Sequence, residues 1–294
     1  MTGRDVYGRA PARKPRGQTG ISRRSLLGLR LTSSARRDID WQSLTDRVRD
    51  GWQRDGHEPF LRALEPAADV LAELAGTGPG MRVLDVGAGD GNLALAVARR
   101  GATAEACEIA PAMVERGRSR CEGREIAWRV ADVQELPYSD GEFDAVLSTF
   151  GAGEAPRAER VASELVRVAR PGAVVALTAW VPRGLPGRLD ELVEPLAPLP
   201  DGVQPPADWG LQSVARARLG PLLDELRLLT RTVQLRFPSP DAFLDALLRP
   251  LPLGPRERDS VRSDLERMLA SCNNCPPEVE VDARYLVILG RRAP

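Results

Sequence analysis

Residues 82–92 read Arg82-Val83-Leu84-Asp85-Val86-Gly87-Ala88-Gly89-Asp90-Gly91-Asn92, an apolar run that passes into glycines at alternate positions. The run over 82–86 predicts a short buried strand, and the residues over 93–98 predict a helix. A strand that turns on glycines into a helix brings bare backbone and a helix N-terminus up to a ligand. The stretch therefore predicts the first βα turn of a doubly wound α/β nucleotide-binding domain.

The spacing of the glycines indicates which nucleotide is bound. A dinucleotide fingerprint has its third glycine where this chain has Asn92, whereas here that glycine comes one residue earlier. The loop also carries carboxylates, which would repel a diphosphate and suit a ligand that bears an ammonium and a sulfonium. The pattern D-V-G-A-G-D-G resembles the first motif of the class I S-adenosylmethionine (SAM)-dependent methyltransferases. This resemblance implies SAM as cofactor, bound in this loop by Asp85, Gly87, Ala88, Gly89, Gly91 and Asn92.

A second feature lies at the end of the next predicted strand, residues 103–107. Glu108 follows that strand about twenty residues beyond the glycines, where an acidic side chain can accept hydrogen bonds from both ribose hydroxyls. The resemblance to the family adds Ile109 and Met113, which would lie near the adenosine at the start of the following helix.

The third predicted strand, residues 126–130, is followed by two positions that match adenine-binding positions of the family. The resemblance implies that the Asp132 side chain accepts a hydrogen bond from the adenine amino group. It also implies that the backbone N–H of Val133 meets the ring.

Residues 136–146 follow the order L-P-x-x-D-G-x-F-D-x-V. This order is similar to that of the small-molecule methyltransferases of the ubiquinone/menaquinone-biosynthesis type (methyltransferase type 11), and the resemblance covers roughly residues 80–180. It implies that Ser148, at the end of the fourth strand, contacts the cofactor. The following residues, up to Gly151, would face the methyl group.

The start of the chain differs from the rest. Residues 1–40 are rich in arginine, proline and glycine, which predicts a disordered basic arm. Residues 22–27 resemble a twin-arginine export signal, but the apolar run that follows stops at Arg30 and no cleavage pattern closes it. A solvated tail is therefore favoured over an export signal.

Residues 41–80 have apolar side chains at helical spacing. In the family such a segment lies over the cofactor and the substrate, so we expect a helical lid that contains Trp52, His57 and Phe60. His57 is the only histidine of the chain and the candidate general base for a hydroxyl acceptor. A lone histidine in a loop is, however, more often an ordinary surface residue.

Residues 81–294 are expected to form the SAM-binding domain, a Rossmann-like seven-stranded sheet. A cap that shapes the acceptor pocket is expected between the fifth and sixth strands, at about residues 182–226. The strand predicted over 230–237 is expected to pair with the last one, over 284–290, and to complete the sheet. Three apolar side chains of this half would either line the pocket or belong to the core: Trp180, Trp209 and Leu211.

Several classes of function are disfavoured. The net charge is zero, and the residues after the fourth strand lack the Asn- or Asp-Pro-Pro-aromatic tetrapeptide of methyltransferases that act on nucleic acids. No apolar run of about eighteen residues predicts a membrane span. The four cysteines are scattered, which favours a reducing cytoplasm. Cys272 and Cys275 form a single C-x-x-C, at most half of a zinc site, so no metal is predicted.

The predicted function is SAM-dependent transfer of a methyl group to an O, N or C atom of a small-molecule acceptor. The protein would hold the acceptor in line with the methyl group and exclude water. One alternative is a nicotinamide-dependent oxidoreductase, which Asn92 and Asp132 disfavour. Another is a non-catalytic SAM-binding regulatory module that acts through the basic arm. The sequence indicates no oligomeric state.

Overall fold

The computed structural model describes residues 39–249, 251 and 253–294. Residues 1–38, on which most of the predicted basic arm falls, lie outside the described residues. The helices are α1 (Trp41–Trp52), α2 (Glu58–Ala63), α3 (Glu65–Leu74), α4 (Asn92–Arg99), α5 (Pro111–Arg120), α6 (Ala158–Val168), α7 (Arg188–Val193), α8 (Gln212–Leu219), α9 (Pro240–Leu248) and α10 (Pro255–Cys272). The strands are β1 (Arg82–Val86), β2 (Thr103–Glu108), β3 (Ile126–Val130), β4 (Phe143–Thr149), β5 (Ala169–Trp180), β6 (Leu223–Phe237) and β7 (Val279–Arg292).

The described strands form one seven-stranded sheet in the order β3-β2-β1-β4-β5-β7-β6. Strands β1 to β5 run parallel, and β7 enters between β5 and β6 antiparallel to both. Helices cover both faces, which explains why β1 has apolar side chains on both of its faces: Val83 belongs to one buried cluster, and Leu84 and Val86 to the other. The predicted doubly wound fold with seven strands and a helical N-terminal region is confirmed.

The second half of the sheet differs from the sequence-based expectation in its boundaries. Strand β6 begins at Leu223, not at residue 230, so the segment after β5 ends at Leu222 instead of continuing to about residue 226. The pairing with β7 shifts between Asp224 and Arg227, where Glu225 has a φ of +53°. This bulge interrupts the period-two alternation on which recognition of a strand depends.

Strand β5 begins at Ala169 and includes an Arg-Pro-Gly turn near its start. Its pairing with β4 jumps from Phe143–Ala169 to Ala145–Val174, so the intervening Arg-Pro-Gly turn loops out of the ladder. The turn therefore lies within the bounds of the strand. None of the helices within the described ranges combines the length and apolar character that crossing a bilayer requires.

Helix α5 is held against β3 by a close contact between a glycine and an indole. A Cβ built on Gly117 would lie 2.1 Å from the Trp128 ring, and one built on Gly91 would lie 2.9 Å from the same ring. Gly91 also has a φ of +93°, a conformation that side chains disfavour. The indole thus fixes α5 beside the start of α4, where the glycine loop ends.

We expect Gly117→Ala to destabilise the protein by about 1–3 kcal/mol, because the added methyl overlaps the Trp128 ring. This is the net loss that remains after the gain of about 1 kcal/mol that alanine normally brings to a helix interior. Urea denaturation measures the difference. The exposed Ser119→Ala on the same helix is the control and should change little. If Gly117→Ala were as stable as wild type, Gly117 would not be packed as closely against the Trp128 ring as the structure shows.

Candidate functional site

The glycine loop joins β1 to α4 at the carboxyl edge of the sheet, where doubly wound folds bind their ligands. Gly87 and Gly89 have φ values of +63° and +56°. The loop is closed on one side by Gly151, because a Cβ there would lie 2.2 Å from the Gly87 carbonyl oxygen. Ala88 continues the contact with β2, since its N–H donates to the Cys107 carbonyl over 3.0 Å. The backbone of the loop is therefore fixed from behind, while Gly87 and Gly89 remain half-buried.

Ser148 connects this loop to the end of β4. Its hydroxyl donates to the Val86 carbonyl over 2.7 Å and accepts from the Ala152 N–H over 2.8 Å. The side chain is fully buried. These two hydrogen bonds position the loops on either side of it, which is a more interior place than the cofactor contact that the sequence predicts.

Asp85 has one carboxylate oxygen without a partner. Oδ2 accepts from the Ala94 N–H over 2.9 Å, but Oδ1 is buried and has no hydrogen bond within the described residues. Burial raises the pKa of Asp85 to about 8, and the charges of Glu108 and Asp90 add to this effect. A buried acceptor left unpaired costs about 1–3 kcal/mol. The site therefore presents an acceptor that a cationic donor would satisfy.

Glu108 ends β2 directly beside the glycine loop. Its Oε2 accepts from the Gly89 N–H and its Oε1 from the Ala110 N–H, both over 3.0 Å. Burial raises the pKa of this carboxyl group. Each oxygen retains a further lone pair, so the carboxylate can also accept from two ligand hydroxyls. Ile109, the next residue, is half-buried.

Asp132 lies on the loop after β3, beside the half-buried Val133. Its carboxylate accepts from the backbone and side-chain N–H groups of Gln134, and the same amide donates to Thr45 Oγ1 on α1 over 3.0 Å. A cavity of about 360 Å³ opens here between α1 and the loop. Its walls include Trp41, Thr45, Asp132, Gln134, Arg157 and Arg160.

The N-terminal helices contact the glycine loop. Asn92 Nδ2 donates to the Leu61 carbonyl of α2 over 2.7 Å. The side chains of Leu61 and Met113 both approach Gly89, since a Cβ at that glycine would lie 3.8 Å from each. Directly after the end of α1, Gln53 Oε1 accepts from the Ala112 N–H over 3.1 Å. Leu61 of α2 and Met113 of α5 thus both contact the loop at Gly89.

Arg120 of α5 connects three segments around the loop. Its Nη1 donates to Asp90 Oδ1 over 2.7 Å and to Asn92 Oδ1 over 2.6 Å, and its Nη2 contacts Glu65 at the start of α3. The Arg120 and Asp90 side chains are 10% and 4% exposed, so this ion pair is buried. Arg120 could not be identified from the sequence, because nothing distinguishes it among the 41 lysines and arginines.

His57 lies at the junction of α1 and α2. Its side chain is buried, with Nε2 3.2 Å from the Gly51 carbonyl oxygen and the ring stacked on Trp52 at a centroid distance of 4.6 Å. Burial lowers the pKa of the imidazole, and the nearby Arg116 and Arg54 lower it further. The contacts of the ring with Gly51 and Trp52 are therefore within its own segment of the chain.

A cluster of aromatic rings occupies the carboxyl ends of β4 and β5. Phe150 stacks on Trp180 with a centroid distance of 4.0 Å, and Tyr285 of β7 meets both rings edge-on. Phe60 of α2 approaches Trp180 at 6.3 Å. The sequence pointed to Trp180 and Phe60, and to Phe150 within the stretch expected to face the methyl group, but not to Tyr285.

Other residues considered from the sequence lie outside this region. Trp209 is fully buried beneath Arg218, whose guanidinium lies 4.5 Å from the ring centroid, and Leu211 is exposed. Cys272 is half-buried and Cys275 exposed, and both are free thiols. Among the described residues, no group of three or more histidine, cysteine or acidic side chains could hold a metal ion.

The region around the glycine loop is similar in sequence to a known protein family. Residues 83–172 match the family model described as "Methyltransferase domain". An uncharacterised protein of Mycobacterium tuberculosis is 37% identical over 186 residues, which are 62% of this chain and 68% of that protein. Another from the same species is 38% identical over 160 residues, 53% of this chain. The match spans only 58% of the length of that second relative.

Among solved structures, the YcgJ protein of Bacillus subtilis has a similar fold. The TM-score is 0.57 at 16% sequence identity, and the alignment covers 78% of this chain and 99% of that one. At this identity the likeness concerns the fold alone.

Proposed function

Because this chain belongs to the class I SAM-dependent methyltransferases, we propose that it methylates an O, N or C atom of a small-molecule acceptor. The observation that carries the proposal is the glycine loop with two buried carboxylates, Asp85 and Glu108, one of which has an unpaired oxygen. In their ionised form these groups would repel a pyrophosphate. A ligand with an ammonium and a ribose diol would satisfy them.

The residues of the loop fit SAM in the following roles. Asp85 would receive the ammonium group through its unpaired Oδ1, and Glu108 would accept from the ribose hydroxyls. Asp132 would accept from the adenine amino group and the Val133 N–H would meet the ring. When bound, SAM would supply a methyl group that is activated by its attachment to a sulfonium. The sulfur is a good leaving group, because it becomes a neutral thioether once the methyl group has been transferred to the acceptor.

We propose that the segment over residues 41–80 acts as a lid on this site. The support is the contact of Leu61 with the glycine loop, together with the hydrogen bond from Asn92 and the one between Gln134 and Thr45. A segment held over the site in this way would exclude water and fix the acceptor, and both effects favour transfer from a donor that is already activated.

His57 is the base candidate if the acceptor is a hydroxyl. Its lowered pKa keeps the imidazole neutral at pH 7, the form that can accept a proton. Because the Gly51 carbonyl can only accept, Nε2–H is the donor there and Nδ1 is the nitrogen left to accept a proton. An amine or an activated carbon acceptor needs no base of this kind. We further propose a cytoplasmic location, supported by four free cysteines, a pattern typical of reducing compartments.

Calorimetric titration with SAM, S-adenosylhomocysteine and NAD tests the proposal. Wild type should bind the first two and not NAD. We expect Glu108→Gln to raise the Kd for SAM at least about ten-fold, because its amide cannot replace every hydrogen bond that the carboxylate accepts. Glu115→Gln, an exposed residue on α5, is the matched control. Binding of NAD instead of SAM would establish the oxidoreductase alternative.

A further inference from the structure

The aromatic cluster beside the glycine loop indicates the chemical class of the acceptor. We propose that Phe150, Trp180 and Tyr285 form a stacking platform for a flat aromatic or conjugated acceptor. The proposal rests on the proposed function, because it concerns the molecule that receives the methyl group. It is carried by the arrangement of the rings and by the way in which the backbone holds them.

Phe150 is held in a conformation that an aromatic residue rarely adopts. Its φ is +61°, and its N–H donates to Thr178 Oγ1 over 3.0 Å. The next residue, Gly151, touches the Gly87 carbonyl. Such a conformation costs about 1–3 kcal/mol and persists only where the surroundings enforce it. The Phe150 ring is therefore anchored to the loop that is proposed to bind SAM.

Trp180 is fixed from the cap side. A Cβ on Gly210 would lie 1.8 Å from the Trp180 carbonyl oxygen, so the backbone of the cap lies directly on the end of β5. The Phe150 and Trp180 rings are nearly parallel, with an interplanar angle of 11°. Tyr285 supports them edge-on from β7 at centroid distances of 5.5 and 6.5 Å, and is itself 1% exposed. The backbone on both sides and the Tyr285 ring thus hold the platform in place.

The exposure of the rings indicates what the platform binds. Phe60, Phe150 and Trp180 are only half-buried, although they lie at the ligand-binding edge of the sheet between α2 and the strands. Since Phe150 and Trp180 already stack at 4.0 Å, nothing fits between them, and the cluster cannot enclose a compact cation there. A flat molecule, in contrast, can extend the stack or cover its edge.

Equilibrium dialysis with two probes of similar size tests the platform. The probes are 2-naphthol, which is flat, and 2-decalol, its saturated counterpart, each added to the full chain in the presence of S-adenosylhomocysteine. Stacking contributes about 0.5–1.5 kcal/mol beyond area burial, so we expect 2-naphthol to bind up to about ten-fold more tightly. Equal binding of the two probes, or binding of neither, would overturn the proposal.

Substitutions of Trp180 test whether the aromatic rings cause the preference for 2-naphthol over 2-decalol. Trp180→Leu should abolish the difference between the probes, whereas Trp180→Phe should keep most of it. Both should retain the wild-type Kd for S-adenosylhomocysteine, which reports folding and the cofactor site. A preference that survives Trp180→Leu would contradict the platform. Failure of wild type to bind S-adenosylhomocysteine would instead count against the proposed function, so the two failures are distinguishable.

Discussion

Replacing Asp85 by Asn is expected to stabilise the protein relative to wild type by an amount that grows as the pH rises from 5 to 8. Burial raises the pKa of this carboxyl group from 3.8 to about 8. A group with a raised pKa in the folded state contributes stability at low pH that is lost as the pH rises to the folded-state pKa. The slope is about 1.4 kcal/mol per pH unit, and the difference should level off above pH 8.

The amide introduced by Asp85→Asn does not titrate, and its oxygen can still accept the hydrogen bond from the Ala94 N–H. Over pH 5–8 the difference in unfolding free energy between the two proteins should therefore change by on the order of 4 kcal/mol. Urea denaturation at each pH measures it. Asp69→Asn, an exposed residue paired with Arg99, is the control and should show no such trend. If the unfolding free energies of Asp85→Asn and wild type changed in parallel with pH, the pKa of Asp85 would not be raised in the folded protein.

The same substitution should weaken the response to SAM. A bound ammonium beside Asp85 favours the ionised carboxylate, so SAM at saturating concentration should raise the Tm of wild type at pH 8. It should raise the Tm of Asp85→Asn much less, because the amide offers no charge. An equal rise in both proteins would place the ammonium elsewhere.

Replacing Arg120 by Met is expected to destabilise the protein by about 3–5 kcal/mol. The substitution leaves the Asp90 carboxylate buried without its cation, and it also removes the contacts with Asn92 and Glu65. Burial already raises the pKa of Asp90, and Arg120 opposes that shift. Without Arg120 the pKa of Asp90 rises further, so the loss of stability should be larger at pH 8 than at pH 5.

A double-mutant cycle separates this ion pair from general damage to α5. Asp90→Asn in the Arg120→Met background should restore part of the stability, because no buried charge then remains. Arg118→Met is the matched control: it lies on the same helix, is 51% exposed and should change stability by less than about 0.5 kcal/mol. Lack of rescue by Asp90→Asn would show that the pair is not the source of the loss.

The features of this fold that can be predicted are those set by residues close to one another in the sequence. The apolar run of β1, the positive φ values of Gly87 and Gly89 and the acidic end of β2 at Glu108 all follow from local pattern and spacing. These features also predict the candidate cofactor loop. The start of β6 could not be predicted, because the bulge near Glu225 destroys the alternation that reveals a strand.

Contacts between residues that lie far apart in the sequence leave no local pattern from which they could be predicted. Arg120 meets Glu65 and Asp90 only after α3, the loop and α5 have come together. The stacking of Phe150 on Trp180 likewise requires β4 and β5 to be paired in register. His57 shows the converse: its uniqueness in the sequence suggested a base, but the structure buries its ring against Gly51 and Trp52.

The position of β7 between β5 and β6 has a consequence for synthesis on the ribosome. Strand β5 is complete once residue 180 has emerged, but its partner consists of residues 279–292. About a hundred residues must therefore be added, at roughly 5–20 residues per second, while the free edge of β5 has no native neighbour. An unpaired edge is a template for wrong pairing. Nascent chains stalled before residue 279 should consequently depend on chaperones far more than the released protein does.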